Sequence, residues 1–363
     1  MQINPFRPSA GAEPPRIIGR DQAAIDFVAG LEGGVGAPGR LMRITGPRGS
    51  GKTVLLTELG SRAEKMGWAV VHVSAGFDLI DDLVYELSPC LSVETISGTG
   101  SVAVASADVT ARVKSPNLRS LMKAAAQAHR GLVVTVDEVQ DASVEDIQRI
   151  ALSVQHLIRE KVNIAFVFAG LPMGVLDVIN GEALTFLRRA KSVALDEINL
   201  VEVGISLQDS FAATGLTLQG EELSQTARAT CGYAYLIQLV AYYIWQRADL
   251  HRGKSVVVDT QDVQLGTEIA MAQFCDAVYE PAVAGINEGA LSYLLAMAQD
   301  EQRSSTAEVA KRMGKTPKEV TSYRRTLLQR EIIQSPARGY VEFAIPFMRD
   351  YLRDNQAELL NRY

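Results

Sequence analysis

The sequence has no hydrophobic run long enough to cross a bilayer. Apolar stretches such as Ile164 to Val175 and Tyr235 to Trp245 fall short of the roughly 20 residues a spanning helix needs. No membrane partner is expected. No basic-then-apolar signal segment opens the chain, so a cytoplasmic location is expected. Cysteine is scarce. Cys90, Cys231 and Cys275 are far apart and odd in number, form no metal-binding spacing, and fit a reducing compartment. The four histidines are equally scattered, and His72 sits in an apolar strand-like run where packing explains it better than ligation. No internal repeat or long low-complexity tract is present.

The 363 residues suggest two or three domains. With 47% hydrophobic and 21% charged residues, they have the composition of an ordinary globular protein with ample core. The net charge of −6 rules out a chain that is basic throughout, but it hides an asymmetry. Between Arg303 and Arg338 there are nine Lys/Arg and three Glu, so this window carries +6 and the remainder about −12. Such a segment is the electrostatic footprint of a nucleic-acid contact or, more plainly, a solvated face.

Residues 1–16 hold four prolines and little periodicity, and read as an extended lead-in. Strand and helix patterns then alternate. Strands are expected at Leu41–Thr45, Ala69–Ser74, Leu132–Val136 and Ile164–Ala169, and helices at Gly51–Met66, about Asp78–Leu87 and Val144–Arg159. This alternation points to an α/β fold, a parallel sheet covered by helices on both faces. From about Val201 to Met297 the pattern is helical throughout, and the tail, Phe347 to Leu360, reads as a single last helix. One stretch, Glu94 to Val113, is small, β-branched and Gly-containing, and reads as a hairpin-like insert: a plain surface loop, or a contact to DNA or to a neighbouring subunit.

GPRGSGKT, Gly46 to Thr53, follows an expected strand and opens an expected helix, the context that a G-x-x-x-x-G-K-T phosphate loop requires. Gly46, Gly49 and Gly51 let backbone N–H groups approach phosphate oxygens, and the helix start adds favourable dipole charge. Lys52 is placed to reach the β- and γ-phosphates, and the Thr53 hydroxyl to ligate Mg2+. Pro47, Arg48, Ser50 and Val54 complete the expected nucleotide-binding set. GLVVTVDEVQ, Gly131 to Gln140, runs an apolar strand into Asp137 and Glu138, at the strand end where ligands bind in open α/β sheets. Asp137 is expected to hold Mg2+ through water, and Glu138 to polarise the attacking water.

With these two motifs the sequence resembles the AAA+ branch of the P-loop ATPases. Within it, the chain is most similar to relatives of the origin-recognition and initiator ATPases. The resemblance implies a three-layer ATPase core over residues 17–198, a helical lid over 199–284 and a winged helix-turn-helix over 285–363. It also implies ATP and Mg2+ as cofactors. PRIIGRDQAAIDF, Pro15 to Phe27, looks like the family's entry motif, with Ile17, Ile18 and Arg20 by the adenine. FLRRAKSVAL, Phe186 to Leu195, matches the segment that carries an arginine finger, making Arg188 or Arg189 the candidate in a homo-oligomer acting in trans. The bland alternative is an Arg-Arg pair that is solvated or set against a helix dipole. FVFAGLP, Phe166 to Pro172, matches the fourth strand, and ATCGYAYLIQLV, Ala229 to Val240, the lid. Two departures stand out. Ala169 and Gly170 stand where a polar residue is usual, and Ala234 stands for a proline with no arginine just after it. Both imply slow or partner-stimulated hydrolysis.

Near the C-terminus, GKTPKEVTSYRRTLLQR, Gly314 to Arg330, reads as the second helix of a helix-turn-helix. Thr316 would cap it, Pro317 suits the first position, and Glu319 would close a capping box. Val320, Tyr323 and Leu327 face inward at i, i+3 and i+7. That leaves Lys318, Ser322 and Arg325, together with Thr321 and Arg324, outward for double-stranded DNA, with Arg338 on the wing. Two readings follow. One is an ATPase that couples nucleotide state to DNA binding. The other is a signalling ATPase whose winged helix packs on the core or binds a protein.

Overall fold

The computed structural model describes residues 2–9, 11–91, 117–180, 182–251, 253 and 255–362. The expected hairpin-like insert, Glu94 to Val113, lies outside the described residues. The chain divides into two compact units: Gly19–Gly46 with Gly51–Asp196, and Met1–Ile18 with Pro47–Ser50 and Glu197–Tyr363.

The first unit is built on five parallel strands. These are β1 (Leu41–Thr45), β2 (Ala69–Ser74), β3 (Leu132–Asp137), β4 (Ile164–Gly170) and β5 (Lys191–Ala194). Their order in the sheet is β2-β3-β4-β1-β5. Successive side chains in a strand point to opposite faces, and both faces are buried here. Val133, Ala165, Val167 and Ala169 pack with Met42 and Ile44 against the helices Asp21–Glu32 and Lys52–Lys65. Val134, Val136, Phe166 and Phe168 pack on the other face, against Leu79–Leu87, Leu118–Ala128 and Val144–Arg159. Each fully buried Leu, Val or Phe contributes about 1.5–3 kcal/mol. β3 and β4, buried at every position, therefore anchor the sheet.

Capping fixes where these helices begin. Ser143 accepts the Asp146 N–H at 3.1 Å, and Asn117 accepts the Arg119 N–H at 3.2 Å. Arg40, 5% exposed, donates to the Gly30 and Leu31 carbonyls at 2.8 and 2.6 Å, satisfying the end of Asp21–Glu32. Its guanidinium lies 4.9 Å from the centre of the Trp68 ring. β5 was not among the expected strands. It falls inside FLRRAKSVAL and pairs with β1 through Met42 to Thr45.

In the second unit the N-terminal segment is seated firmly. Phe6 is 2% exposed and its ring lies 5.3 Å from Phe211. Four helices follow: Leu200–Ala213, Gly220–Ala229, Ala234–Leu250 and Thr260–Phe274. A Cβ at Gly266 would come within 2.8 Å of the Ile244 backbone, so the last two helices approach more closely than a side chain permits. Trp245 Nε1 donates to Thr214 Oγ1 at 2.8 Å. A π-helical turn, Cys275–Tyr279, precedes Pro281, which lacks the N–H needed to continue the ladder.

The C-terminal part carries helices Glu288–Met297, Thr306–Arg312 and Thr321–Gln329. It also carries an antiparallel sheet of β6 (Ser304–Ser305), β7 (Ile333–Gln334) and β8 (Tyr340–Phe343), in the order β6-β8-β7. Two expectations are corrected here. The helix expected to begin near Thr316 starts at Thr321. Glu319 does accept both the Thr316 N–H and hydroxyl at 2.7 Å, but this bond closes a separate turn ahead of the helix. The single last helix from Phe347 to Leu360 is instead two, Met348–Asp354 and Gln356–Leu360, joined at Asn355, whose side-chain amide donates to the Tyr351 carbonyl. Val320 and Leu327 are fully buried as expected, and Tyr323 packs on Gly289, where a Cβ would meet its ring at 2.4 Å.

Candidate phosphate-binding site

β1 and β3 lie on either side of β4 and all three run parallel, so their C-terminal ends open on the same edge. Gly51 sits at the start of Lys52–Lys65 with φ +91°, in the left-handed region that glycine tolerates without strain. Lys52 is 4% exposed. Its ammonium donates to the Gly46 carbonyl at 3.1 Å and lies 3.9 Å from Glu138 Oε1. Thr53 Oγ1 is 2.5 Å from Asp137 Oδ2, and Asp137 is 7% exposed. Asp137 Oδ1 in turn accepts the Glu138 N–H at 2.8 Å. Thr53 and Asp137, 84 positions apart in the chain, are thus brought to one place, with Lys52 and Glu138 beside them. Val54 follows in the same helix, half-buried.

Glu138 has φ +49°, a left-handed conformation uncommon for a side chain of its size. It directs the chain out of β3 into the single turn Val139–Asp141. Gln140 Nε2 donates to Glu138 Oε2 at 2.6 Å, and Gln140 Oε1 accepts the Leu171 N–H at 3.0 Å. Gln140 was not among the sequence candidates. Its only signal was its place in the quoted run, two residues after Glu138.

The loop tip, Pro47–Ser50, groups with the second unit. There Tyr233 donates its hydroxyl to the Arg48 carbonyl, and the Tyr235 N–H donates to the Gly49 carbonyl at 3.2 Å. Glu331 Oε2 accepts the Arg48 N–H at 3.2 Å. Burial, with a smaller effect of Glu331, pushes the Tyr233 hydroxyl pKa well up, so it stays protonated and able to donate. Tyr233 and Glu331 were likewise missed by sequence reasoning. Gly232-Tyr233-Ala234 had marked only the lid, and Glu331 sits nearly 300 residues from the loop.

The other expected residues lie as follows. Ile17, Ile18 and Arg20 are half-buried, and Arg20 Nη2 donates to the Asp196 carbonyl at 2.8 Å. Arg188 and Arg189 are exposed, and Arg188 Nε donates to the Ile179 carbonyl at 3.1 Å. Lys318, Ser322, Arg325 and Arg338 are exposed. Arg324 differs from the outward placement expected of it. It is half-buried, and its Nη2 donates to Ser335 Oγ at 2.9 Å, bracing the turn between β7 and β8.

The residues fit a nucleotide phosphate with a hard cation. Ser50 Oγ is buried with no hydrogen-bond partner among the described residues, a polar atom of the loop left for a ligand. The Thr53 hydroxyl and Asp137 carboxylate are oxygen donors of the kind Mg2+ takes. A family model of the AAA ATPase domain matches residues 16–167. The chain carries an AAA ATPase domain. Residues 276–352 match a domain of unknown function, DUF8462. No curated protein matches the sequence. A Walker-type ATPase of Pyrococcus abyssi is 15% identical with TM-score 0.65, over 94% of this chain and 97% of its own. The ORC2 protein of Aeropyrum pernix, in ADPNP–ADP complexes, is 16% identical with TM-score 0.61, over 98% and 97%. The RuvB branch migration motor of Thermotoga maritima is 15% identical with TM-score 0.50, over 93% and 95%. The AAA domain with the elements around it therefore has the AAA+ P-loop fold.

Proposed function

We propose that this chain binds ATP with Mg2+, hydrolyses it slowly or on partner stimulation, and couples nucleotide state to binding of double-stranded DNA. The observation that carries the ATPase reading is the convergence of buried Lys52, the Thr53–Asp137 pair and Glu138 on one edge of the AAA domain's sheet. In this reading Gly46 to Val54 bind the phosphates, with Ile17, Ile18 and Arg20 at the base. Thr53 would hold Mg2+ directly and Asp137 through water, and the ion when bound would offset phosphate charge. Glu138 takes a proton from water at Oε1 as the water oxygen bonds to the terminal phosphorus. The bond from that phosphorus to the bridging oxygen breaks, and ADP and phosphate are released. Arg188 or Arg189 acts as a finger on a neighbouring copy in a homo-oligomer.

The DNA reading is supported by two short helices followed by an antiparallel strand pair, and by exposed Lys318, Ser322, Arg325 and Arg338 in the +6 window. Arg324 supports the wing. A signalling role has one observation in its favour. Glu331, from the same C-terminal segment, holds the Arg48 N–H of the loop.

The test combines turnover with DNA binding. Lys52→Ala should abolish ATP binding, and Glu138→Gln should keep binding while losing about 100-fold or more in turnover. Duplex DNA should bind in at least one nucleotide state, more weakly as salt rises. Absence of DNA binding with ATP, with ADP and with no nucleotide would leave the signalling reading standing instead.

A further inference from the structure

Gln140 is held between two parts of the AAA domain that the chain brings together only on folding. The Leu171 N–H, just past the end of β4, meets its side-chain amide at 3.0 Å. A peptide N–H only donates, so the atom it meets must be the oxygen, Oε1. The orientation of the amide follows from this neighbour. Nε2 must then face Glu138 Oε2, which it does at 2.6 Å, with Asp141 Oδ2 a more distant acceptor at 3.4 Å.

The space for this side chain is provided by glycine. A Cβ on Gly170 would lie 2.6 Å from Gln140 Oε1 and 2.9 Å from Val139 Cγ1. A Cβ on Gly174 would lie 2.2 Å from Gln140 Cβ. Neither glycine has a positive φ, so conformational freedom is not the reason for them. Both positions are kept clear of side chain where Gln140 lies. The run Ala169-Gly170 lacks a polar side chain at the end of β4, and Gln140 brings one to that spot from the neighbouring strand's exit.

Glu138, in its left-handed backbone, is thereby gripped at three points. Its N–H goes to Asp137 Oδ1, its Oε2 to Gln140, and its Oε1 faces the Lys52 ammonium at 3.9 Å. A strained residue stays put only when its surroundings over-determine it. We propose that Gln140 is the positioning residue of this site. Its amide clamps Glu138 Oε2, leaves Oε1 as the proton-accepting atom, and ties the orientation of that carboxylate to the end of β4. This inference rests on the ATPase reading above.

Two variants separate positioning from packing. Gln140→Glu keeps the length of the side chain and an oxygen for the Leu171 N–H, but turns a second oxygen toward Glu138 in place of the donor. Gln140→Ala removes both contacts. The full-length protein is assayed for Kd of a fluorescent ATP analogue, for kcat and KM of ATP hydrolysis, and for thermal stability. Both variants should keep the analogue's Kd within about threefold of wild type and lose about 10- to 100-fold in kcat, the scale of a misplaced catalytic group. Gln140→Glu should do so with little loss of melting temperature. Gly170→Ala, which intrudes on the amide without altering it, should lower kcat in the same direction.

Glu138→Gln is the control. If it abolishes turnover while Gln140→Glu turns over like wild type, Gln140 is a packing residue and the inference is overturned. A fall in kcat for Gln140→Ala alone, tracking its loss of stability, would overturn it too. Wild type that binds the ATP analogue but shows no turnover would overturn the hydrolysis reading itself, a result the wild-type assay gives before any variant is compared.

Discussion

Arg312 donates both terminal nitrogens to Asp300, at 2.8 and 2.5 Å, and one of them also to the Ala296 carbonyl. A fork of this kind holds charge and geometry together. The guanidinium keeps the Asp300 carboxyl below the ordinary aspartate value of 3.8, against the opposing effect of burial. Because the native value is the lower one, the unfolded chain takes up the proton first as pH falls. The stabilisation is therefore complete above about pH 4 and is lost as pH drops through the native value. Asp300→Asn should cost about 0.5–1 kcal/mol at pH 7 in urea unfolding. The gap from wild type should close as the pH is stepped down below 4, and a gap that persists there would mean the charge is not its source. At this scale the sequence spoke clearly where chemistry fixes spacing. Lys52, Thr53, Asp137 and Glu138 were legible because a phosphate loop and an apolar strand ending in acids have few other uses. Gln140 was not, since its role depends on Leu171, 31 residues further on, arriving beside it.

Elements were legible to the extent that local pattern decides them. The first four strands and the helix Val144–Arg159 follow from runs of apolar residues bounded by polar ones, and β3 and β4 are longer than expected by only one residue each. β5 escaped because four residues with alternating exposure, Lys191 to Ala194, carry no strong strand signal; only pairing with β1 makes them a strand. The start of Thr321–Gln329 escaped for a related reason. Thr316 and Glu319 form the bond that a capping box needs, and the turn that follows postpones the helix. Where two helices touch most closely, a single methyl group should matter. Gly266→Ala would force a Cβ to within 2.7 Å of Ile244 Cγ1 and 2.8 Å of its backbone. Backbone cannot swing aside as a side-chain tip can, so the variant should lose about 1–3 kcal/mol in denaturant unfolding. Unchanged stability would mean the helices Ala234–Leu250 and Thr260–Phe274 separate without cost.

For the molecule as a whole, charge is less available than its count suggests. Of the nine basic residues in the +6 window, Arg312 is paired with Asp300, Arg330 donates to the Ala284 and Gly285 carbonyls, and Arg303 lies over the Tyr340 ring. Lys315, Lys318, Arg325 and Arg338 are exposed. If the C-terminal segment contacts phosphates, Lys318→Ala and Arg325→Ala should each lower the slope of log K against log salt by about 1 for duplex DNA, with similar loss across sequences. Equal slopes in the variants and wild type would remove both residues from the interface. The two tryptophans, finally, are divided between the units. Trp68 lies beneath Arg40 in the sheet unit, and Trp245 is tied to Thr214 in the helical one. Each unit thus carries one tryptophan in a different setting, one stacked under a cation and one hydrogen-bonded through its indole. With the other tryptophan replaced by phenylalanine, either unit's emission can be followed by itself, so whether they melt as one cooperative body is readable without a label.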